Sequence, residues 1–245
     1  RLASSSARTT RPHVAHAPRI SGRMVQTRRL GVCCTYPSGL SSACLIELEL
    51  DGCWRGGEMR QRRNLYTKKF GHSEWVTSVA HLPDGRSLSA GMDSKLCLWN
   101  SAGAPRCNDL IGHTGSISRV LAAADGALGI SSAYDKTVRI WSLEHCSELA
   151  VLRAHRAPVL QLVWTGGALA SADRDGTVVS WELGRGKPRE LGFHGGHATA
   201  LSASADAAGG GGISSGGQDG VVRLYDLRTS GEAAAQRGHT GAVNE

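Results

Sequence analysis

From residue 68 onward the apolar positions fall in short runs broken by Gly and Asp turns. Ile117–Leu121, Ala127–Ser132, Thr137–Trp141 and Glu148–Arg153 form one such set, with Asp125-Gly126 and Asp135-Lys136 as punctuation. Within it, Val138 and Ile140 alternate with Arg139 and Trp141, the period-two pattern of a strand. No sustained helical period follows residue 67. Short strands separated by Gly and Asp turns predict an all-β fold rather than alternating strands and helices. Upstream, Asn64–Phe70 reads as an outer strand, and Leu45–Leu50 alternates as another.

The pattern repeats. His72, His113, His155, His197 and His239 are spaced by 41, 42, 42 and 42 residues. An aromatic closes a later run of each unit: Trp99, Trp141, Trp181 and Tyr225. Six residues before each aromatic stands Asp93, Asp135, Asp175 or Asp219, and four before that Ser89, Ser131, Ser171 or Ser215. A period near 42 residues marks copies of one supersecondary unit. A four-stranded sheet of this size cannot bury both faces alone, so copies must stack around an axis. The polar set then has a role in the stack. An indole N–H only donates, so a buried Trp needs an acceptor such as a Ser hydroxyl. A His ring can link that hydroxyl to a carboxylate.

This pattern resembles the WD-repeat (Trp-Asp repeat) β-propeller family, and it covers residues 68–245. The resemblance implies an all-β propeller of four-stranded antiparallel blades at about 68–110, 111–153, 154–195 and 196–237, with a further blade starting at 238–245. Residues 43–67 read as a degenerate partial blade, and the set as part of a larger propeller. The implied structural tetrads are Ser89/His72/Asp93/Trp99, Ser131/His113/Asp135/Trp141, Ser171/His155/Asp175/Trp181 and Ser215/His197/Asp219/Tyr225. The Asp of the family's Trp-Asp pair survives as Tyr225-Asp226; Asn100, Ser142 and Glu182 replace it elsewhere. Tyr225 exchanges an indole for a phenol, and the glycine run 207–212 predicts a loose connection in that unit.

Ser, His and Asp together also suggest a hydrolase triad. A triad is needed once, whereas this set recurs four times, and no Gly-x-Ser-x-Gly elbow is present. The reading is therefore no catalytic residues, no metal and no cofactor. His81, His145 and His194 stand outside the histidine register and read as loop or surface residues. The glycine-rich stretch 209–217 lacks the lysine of a phosphate loop.

Charge narrows the partners. The net charge is +7, but residues 1–46 hold seven arginines and no acid. Taking those seven from 28 leaves 21 Lys and Arg against 21 Asp and Glu. A nucleic-acid footprint belongs on the folded body, where the charges here balance. Nucleic-acid binding would rest on the tail alone. Residues 1–42 read as a basic, Ser/Ala-rich disordered tail; organellar targeting is an alternative, and Met24 could be an internal start. Seven cysteines without framework spacing predict free thiols, hence a cytoplasmic or nuclear setting. No 18-residue apolar stretch exists to cross a membrane as a helix.

Function then falls to surfaces. Three residues past each histidine stand Trp75, Ser116, Pro158 and Ala200; just before each Asp stand Met92, Tyr134, Arg174 and Gln218. Of these, Trp75, Met92, Tyr134 and Arg174 have the character of binding hot spots and form a candidate partner-binding rim. The expected function is a non-catalytic scaffold for a multiprotein complex. The string from Asp219 to Arg228 is also similar to the box by which some Trp-Asp propellers dock on a cullin-type ubiquitin-ligase adaptor, with Asp219, Asp226 and Arg228 at its key positions.

Overall fold

The computed structural model describes residues 29–34, 43–48, 71–100, 107–123, 126–164, 168–182, 187–204, 212–227 and 231–244. All regular structure among them is β. Strands β1 (Arg29–Cys34) and β2 (Ala43–Leu48) form an antiparallel pair. Four four-stranded antiparallel sheets follow in chain order. The first holds β3 (Val76–His81), β4 (Ser87–Gly91), β5 (Lys95–Trp99) and β6 (Cys107–Ile111). The second holds β7 (Ile117–Ala122), β8 (Leu128–Ala133), β9 (Thr137–Ser142) and β10 (Ser147–Arg153). The third holds β11 (Val159–Trp164), β12 (Ala168–Asp173), β13 (Thr177–Glu182) and β14 (Pro188–Phe193). The fourth holds β15 (Ala198–Ser204), β16 (Gly212–Gly217), β17 (Val221–Asp226) and β18 (Gly231–Arg237). These are blades of a propeller, and the described sheets do not close into a ring.

The core lies between sheets. Leu88, Leu96 and Leu98 of the first sheet pack against Ile117, Val120 and Trp141 of the second. Ile130 and Val138 of the second meet Val159, Leu169 and Trp181 of the third. Ala170, Val178 and Leu191 of the third meet Ala198, Ile213 and Tyr225 of the fourth. Strands β4, β8 and β12 are therefore buried on both faces, and their Ser, Ala and Gly residues let neighbouring sheets approach closely.

The first strands, β3, β7, β11 and β15, pack on one another in sequence. Each carries a bulge at the same place, skipping Thr77, Ser118, Leu160 and Thr199 in the register with its neighbour. A bulged residue turns its side chain sideways, and three of these carry hydroxyls aimed at the next blade. Thr77 Oγ1 donates to Ile117 O at 2.6 Å, Ser118 Oγ to Val159 O at 2.6 Å, and Thr199 Oγ1 to Val243 O. Leu160 has no hydroxyl, and the adjacent Gln161 Nε2 donates to Thr199 O at 2.7 Å instead. At the other end of the sheets, Arg86 reaches from the first blade to Gly126 O and Leu143 O of the second, 3.0 Å each.

Two upstream expectations change. Arg29–Cys34 is a strand inside the segment expected to be a disordered tail, paired in register with Ala43–Leu48. The strand expected at Leu45–Leu50 thus lies two residues earlier. The expected strand Asn64–Phe70 and most of the glycine run 207–212 lie outside the described residues.

Thr77→Val keeps the shape of the bulged side chain and removes the donor to Ile117 O. It should lower the unfolding free energy by about 1 kcal/mol, read as a fall in urea midpoint at unchanged slope.

Candidate functional site

Each tetrad is assembled from three parts of a blade. The histidine comes from the connection entering the blade, the serine from its second strand, and the aromatic from its third. In the first blade Trp99 Nε1 donates to Ser89 Oγ at 2.8 Å, and Ser89 Oγ lies 2.8 Å from His72 Nε2. His72 Nδ1 lies 2.8 Å from Asp93 Oδ1, and the other oxygen of Asp93 accepts from Ser73 N. The second blade repeats this: Trp141 to Ser131 at 2.8 Å, Ser131 to His113 at 2.7 Å, His113 to Asp135 at 2.8 Å. Because indole only donates, the chain has a direction. The serine accepts from Trp at one end, and at the other the ring Nδ1 donates to the carboxylate, which can only accept.

In the third blade the acid is Asp173, not the expected Asp175. His155 Nδ1 meets Asp173 Oδ2 at 2.8 Å, His155 Nε2 meets Ser171 at 2.6 Å, and Trp181 donates to Ser171 at 2.8 Å. The reason is steric. Two residues before the turn aspartate, the other blades have Gly91, Ala133 and Gly217. A Cβ at Gly91 would overlap His72 Nδ1 and Asp93 Oδ1. In the third blade residue 173 supplies the carboxylate to that space from the strand itself. Asp175 is left exposed, its backbone N–H bonded to Asp173 at 3.0 Å.

In the fourth blade the histidine is His194, not His197. His194 is fully buried, 3.0 Å from Asp219 Oδ1 and 2.6 Å from Ser215 Oγ. Position relative to the next first strand decides it. His72, His113, His155 and His194 each stand four residues before Val76, Ile117, Val159 and Ala198. His197 keeps the 42-residue spacing from His155 but sits one residue from the strand. Of the other two off-register histidines, His145 lies exposed in the turn before β10, whereas His81 belongs to β3 rather than to a loop. The fourth relay is weaker at its aromatic end, where Tyr225 OH lies 3.3 Å from Ser215 Oγ. Its acidic end is reinforced by Arg223, whose Nη1 donates to Asp219 Oδ2 at 3.0 Å.

Burial pushes the Asp135 carboxyl up, but hydrogen bonds from His113 and Thr137 outweigh it and hold the group well below the usual range. Asp219 follows the same balance, with His194 as the leading hydrogen-bond donor. The Ser-His-Asp connectivity is that of a hydrolase triad, yet its surroundings differ. Ser89, Ser131 and Ser171 are completely buried, and each Oγ already accepts an indole N–H. No carbonyl substrate can reach them. No group of three or more His, Cys, Asp or Glu among the described residues is placed to hold a metal.

The open chemistry is on the rim. Met92 N donates to Trp75 O at 2.8 Å, Ser116 Oγ donates to Met92 O at 3.2 Å, and Tyr134 N donates to Ser116 O at 2.9 Å. This chain of bonds makes Trp75, Met92 and Tyr134 neighbours across two blades, and they are 56%, 41% and 49% exposed. The next pairs are Arg174 N with Pro158 O and Gln218 N with His197 O. The fourth rim position past the relay histidine is thus His197 rather than Ala200, which belongs to β15. Of the adaptor-docking candidates, Asp219 is engaged by His194 and Arg223, Asp226 ends β17, and Arg228 lies outside the described residues.

Comparison with known proteins agrees with this geometry. The WD40 family, described as "WD domain, G-beta repeat", matches residues 63–100 and 105–142. The CCR4-associated factor 4 homolog of Candida glabrata is 25% identical over 201 residues, covering 70% of this chain and 34% of that protein. The small ribosomal subunit protein RACK1 of Neurospora crassa is 37% identical over 81 residues, 30% of this chain and 25% of its own length. The ribosome biogenesis protein YTM1 of Eremothecium gossypii is 28% identical over 130 residues, 47% of this chain and 28% of its own. The chain thus spans about a third or less of these relatives.

Two outcomes test the relay assignments. Asp173→Ala should cost about 1–3 kcal/mol by orphaning buried donors, and Asp175→Ala less than about 0.5 kcal/mol, compared by thermal and urea unfolding. For pH, a carboxyl held below its ordinary value of 3.8 binds fewer protons folded than unfolded. The stability it contributes is complete above that value and drains away as pH falls beneath it. The gap in urea midpoint between wild type and Asp135→Ala should therefore be widest near neutrality and narrow as pH drops below about 4.

Proposed function

We propose that this chain, which belongs to the WD-repeat family, is a non-catalytic protein-interaction scaffold that engages a partner through the rim of its blades. The observation that carries the reading is the contrast between two sets of residues. The reactive-looking side chains are sealed inside the blades, while Trp75, Met92 and Tyr134 are exposed on turns and connections joined by successive hydrogen bonds. Large apolar side chains grouped on a rigid surface mark an interaction site more often than scattered ones do. The relays give the rim its rigidity, since Asp93 and Asp135 hold the connections that carry Trp75 and Ser116.

The relatives' names support assembly as the theme, because a CCR4-associated factor, a ribosomal subunit protein and a ribosome biogenesis protein are named for assemblies. A cytoplasmic or nuclear setting fits, as Cys97 and Cys146 form no disulfide. Among the described residues no helix is long and apolar enough to cross a membrane. Docking on a ubiquitin-ligase adaptor through Asp219, Asp226 and Arg228 is the second reading; it rests on the sequence string, with Asp219 already held in the fourth relay.

The test is proximity labelling in cells with the intact chain and with a Trp75→Ala/Tyr134→Ala double variant. Both side chains are exposed, so the double variant should melt within about 2 °C of wild type. The expected result is loss of a defined subset of stable partners. An unchanged partner set would remove the rim as the binding surface.

A further inference from the structure

The rim is chemically graded. Its first two blades present the apolar set Trp75, Met92 and Tyr134. Moving toward the third blade, the exposed side chains become Lys136, Arg156 and Arg174. Acidic groups on the same turns and connections are Asp175, beside Arg174, and Glu74, beside Trp75 at the opposite end. The relay aspartates keep their charge but are turned into the blades, away from contact with a ligand on the rim. Asp135 is engaged by His113 and Thr137, and Asp173 is buried against His155. From Tyr134 to Asp175 the exposed charged side chains of these turns and connections are therefore three cations and one acid.

We infer that this rim takes an extended peptide segment in which acidic residues stand a few positions from one large apolar side chain. The inference rests on the scaffold reading above and names the chemistry of the partner. The apolar anchor sits against Trp75, Met92 and Tyr134; the carboxylates meet Lys136, Arg156 and Arg174. Arginine offers a carboxylate a two-pronged donor fork, and an exposed aromatic beside it gives a flat apolar platform. Packed sheets lie about 10 Å apart and an extended chain advances about 3.3 Å per residue. One blade-to-blade step thus spans roughly three residues of ligand. That separation places the anchor about three to six positions from the acids. Glu74 disfavours the reverse placement, because it would put carboxylates beside a carboxylate.

The experiment is selection of a random dodecapeptide library, displayed on phage, against the full chain, with counter-selection on Trp75→Ala. Selected peptides are then measured by fluorescence anisotropy at two salt concentrations. The expected result is Trp75-dependent peptides enriched at least two-fold in Asp and Glu, with one Leu, Ile, Phe or Met three to six residues away. Their affinity falls at least five-fold on Arg174→Glu and weakens with added salt. Trp75-dependent peptides that are neutral or basic overturn the acidic partner and leave the rim reading standing. A library that yields no Trp75-dependent peptide removes the rim reading as well. A 12-nucleotide oligouridylate that binds Trp75→Ala as well as wild type, and is lost on Arg174→Glu, identifies the cations as a phosphate site and also overturns the inference. Arg174 is exposed, so an unchanged melting curve for Arg174→Glu separates lost binding from lost folding.

Discussion

A four-stranded sheet with two apolar faces has no stable existence by itself, and every other feature of this chain answers that constraint. Leu88 and Leu98 need Ile117 and Trp141; Ile130 and Val138 need Val159 and Trp181. The hydrophobic term is thus shared between successive blades rather than owned by any one of them. Non-directional burial alone would let blades slide. Directional bonds at both ends of the sheets oppose this: the bulged hydroxyls of Thr77 and Ser118 near the axis, and the Arg86 guanidinium at the far turn. A bulge is normally a local defect in pairing; here it recurs at one position in four first strands, and in three of them the freed side chain donates a hydrogen bond onward.

The relays work at a different scale. They tie the entering connection of each blade to its second and third strands, so a loop that would otherwise be mobile becomes part of the sheet. A chain of donors that starts on an indole and ends on a carboxylate satisfies every polar atom it buries. The same connectivity that would activate a serine elsewhere is spent here on rigidity, because the serine oxygen already has two partners and no access to solvent. The fourth blade shows how far the device bends. It substitutes a phenol, loosens one bond, and recruits Arg223 to the other end.

Much of this was legible in the residue pattern. The periodic histidines, serines and tryptophans located four sheets, and the strands Thr137–Trp141 and Glu148–Arg153 fall within a residue of their observed ends. What failed was register inside a unit. Two aspartates stand two apart at 173 and 175, and two histidines three apart at 194 and 197. Fixed offsets, six residues to the aromatic and 42 to the neighbouring histidines, chose the wrong member of each pair. The deciding signals were steric and positional: the small residue needed beside the histidine ring, and the four-residue run from histidine to the next first strand. The bulge hydroxyls had no sequence signal, since Thr77, Ser118 and Thr199 look like ordinary strand residues until the neighbouring carbonyl is seen.

The displacement of the third blade's acid onto Asp173 separates two duties that other blades fuse in one residue. In the first and second blades the turn aspartate is itself the acid of the relay. In the third, residue 175 occupies the same turn with no part in the relay, next to Arg174 on the solvent side. Substitution there can retune the local charge while the architecture stays intact. This corner is accordingly where inherited variation can explore new recognition chemistry at little thermodynamic penalty.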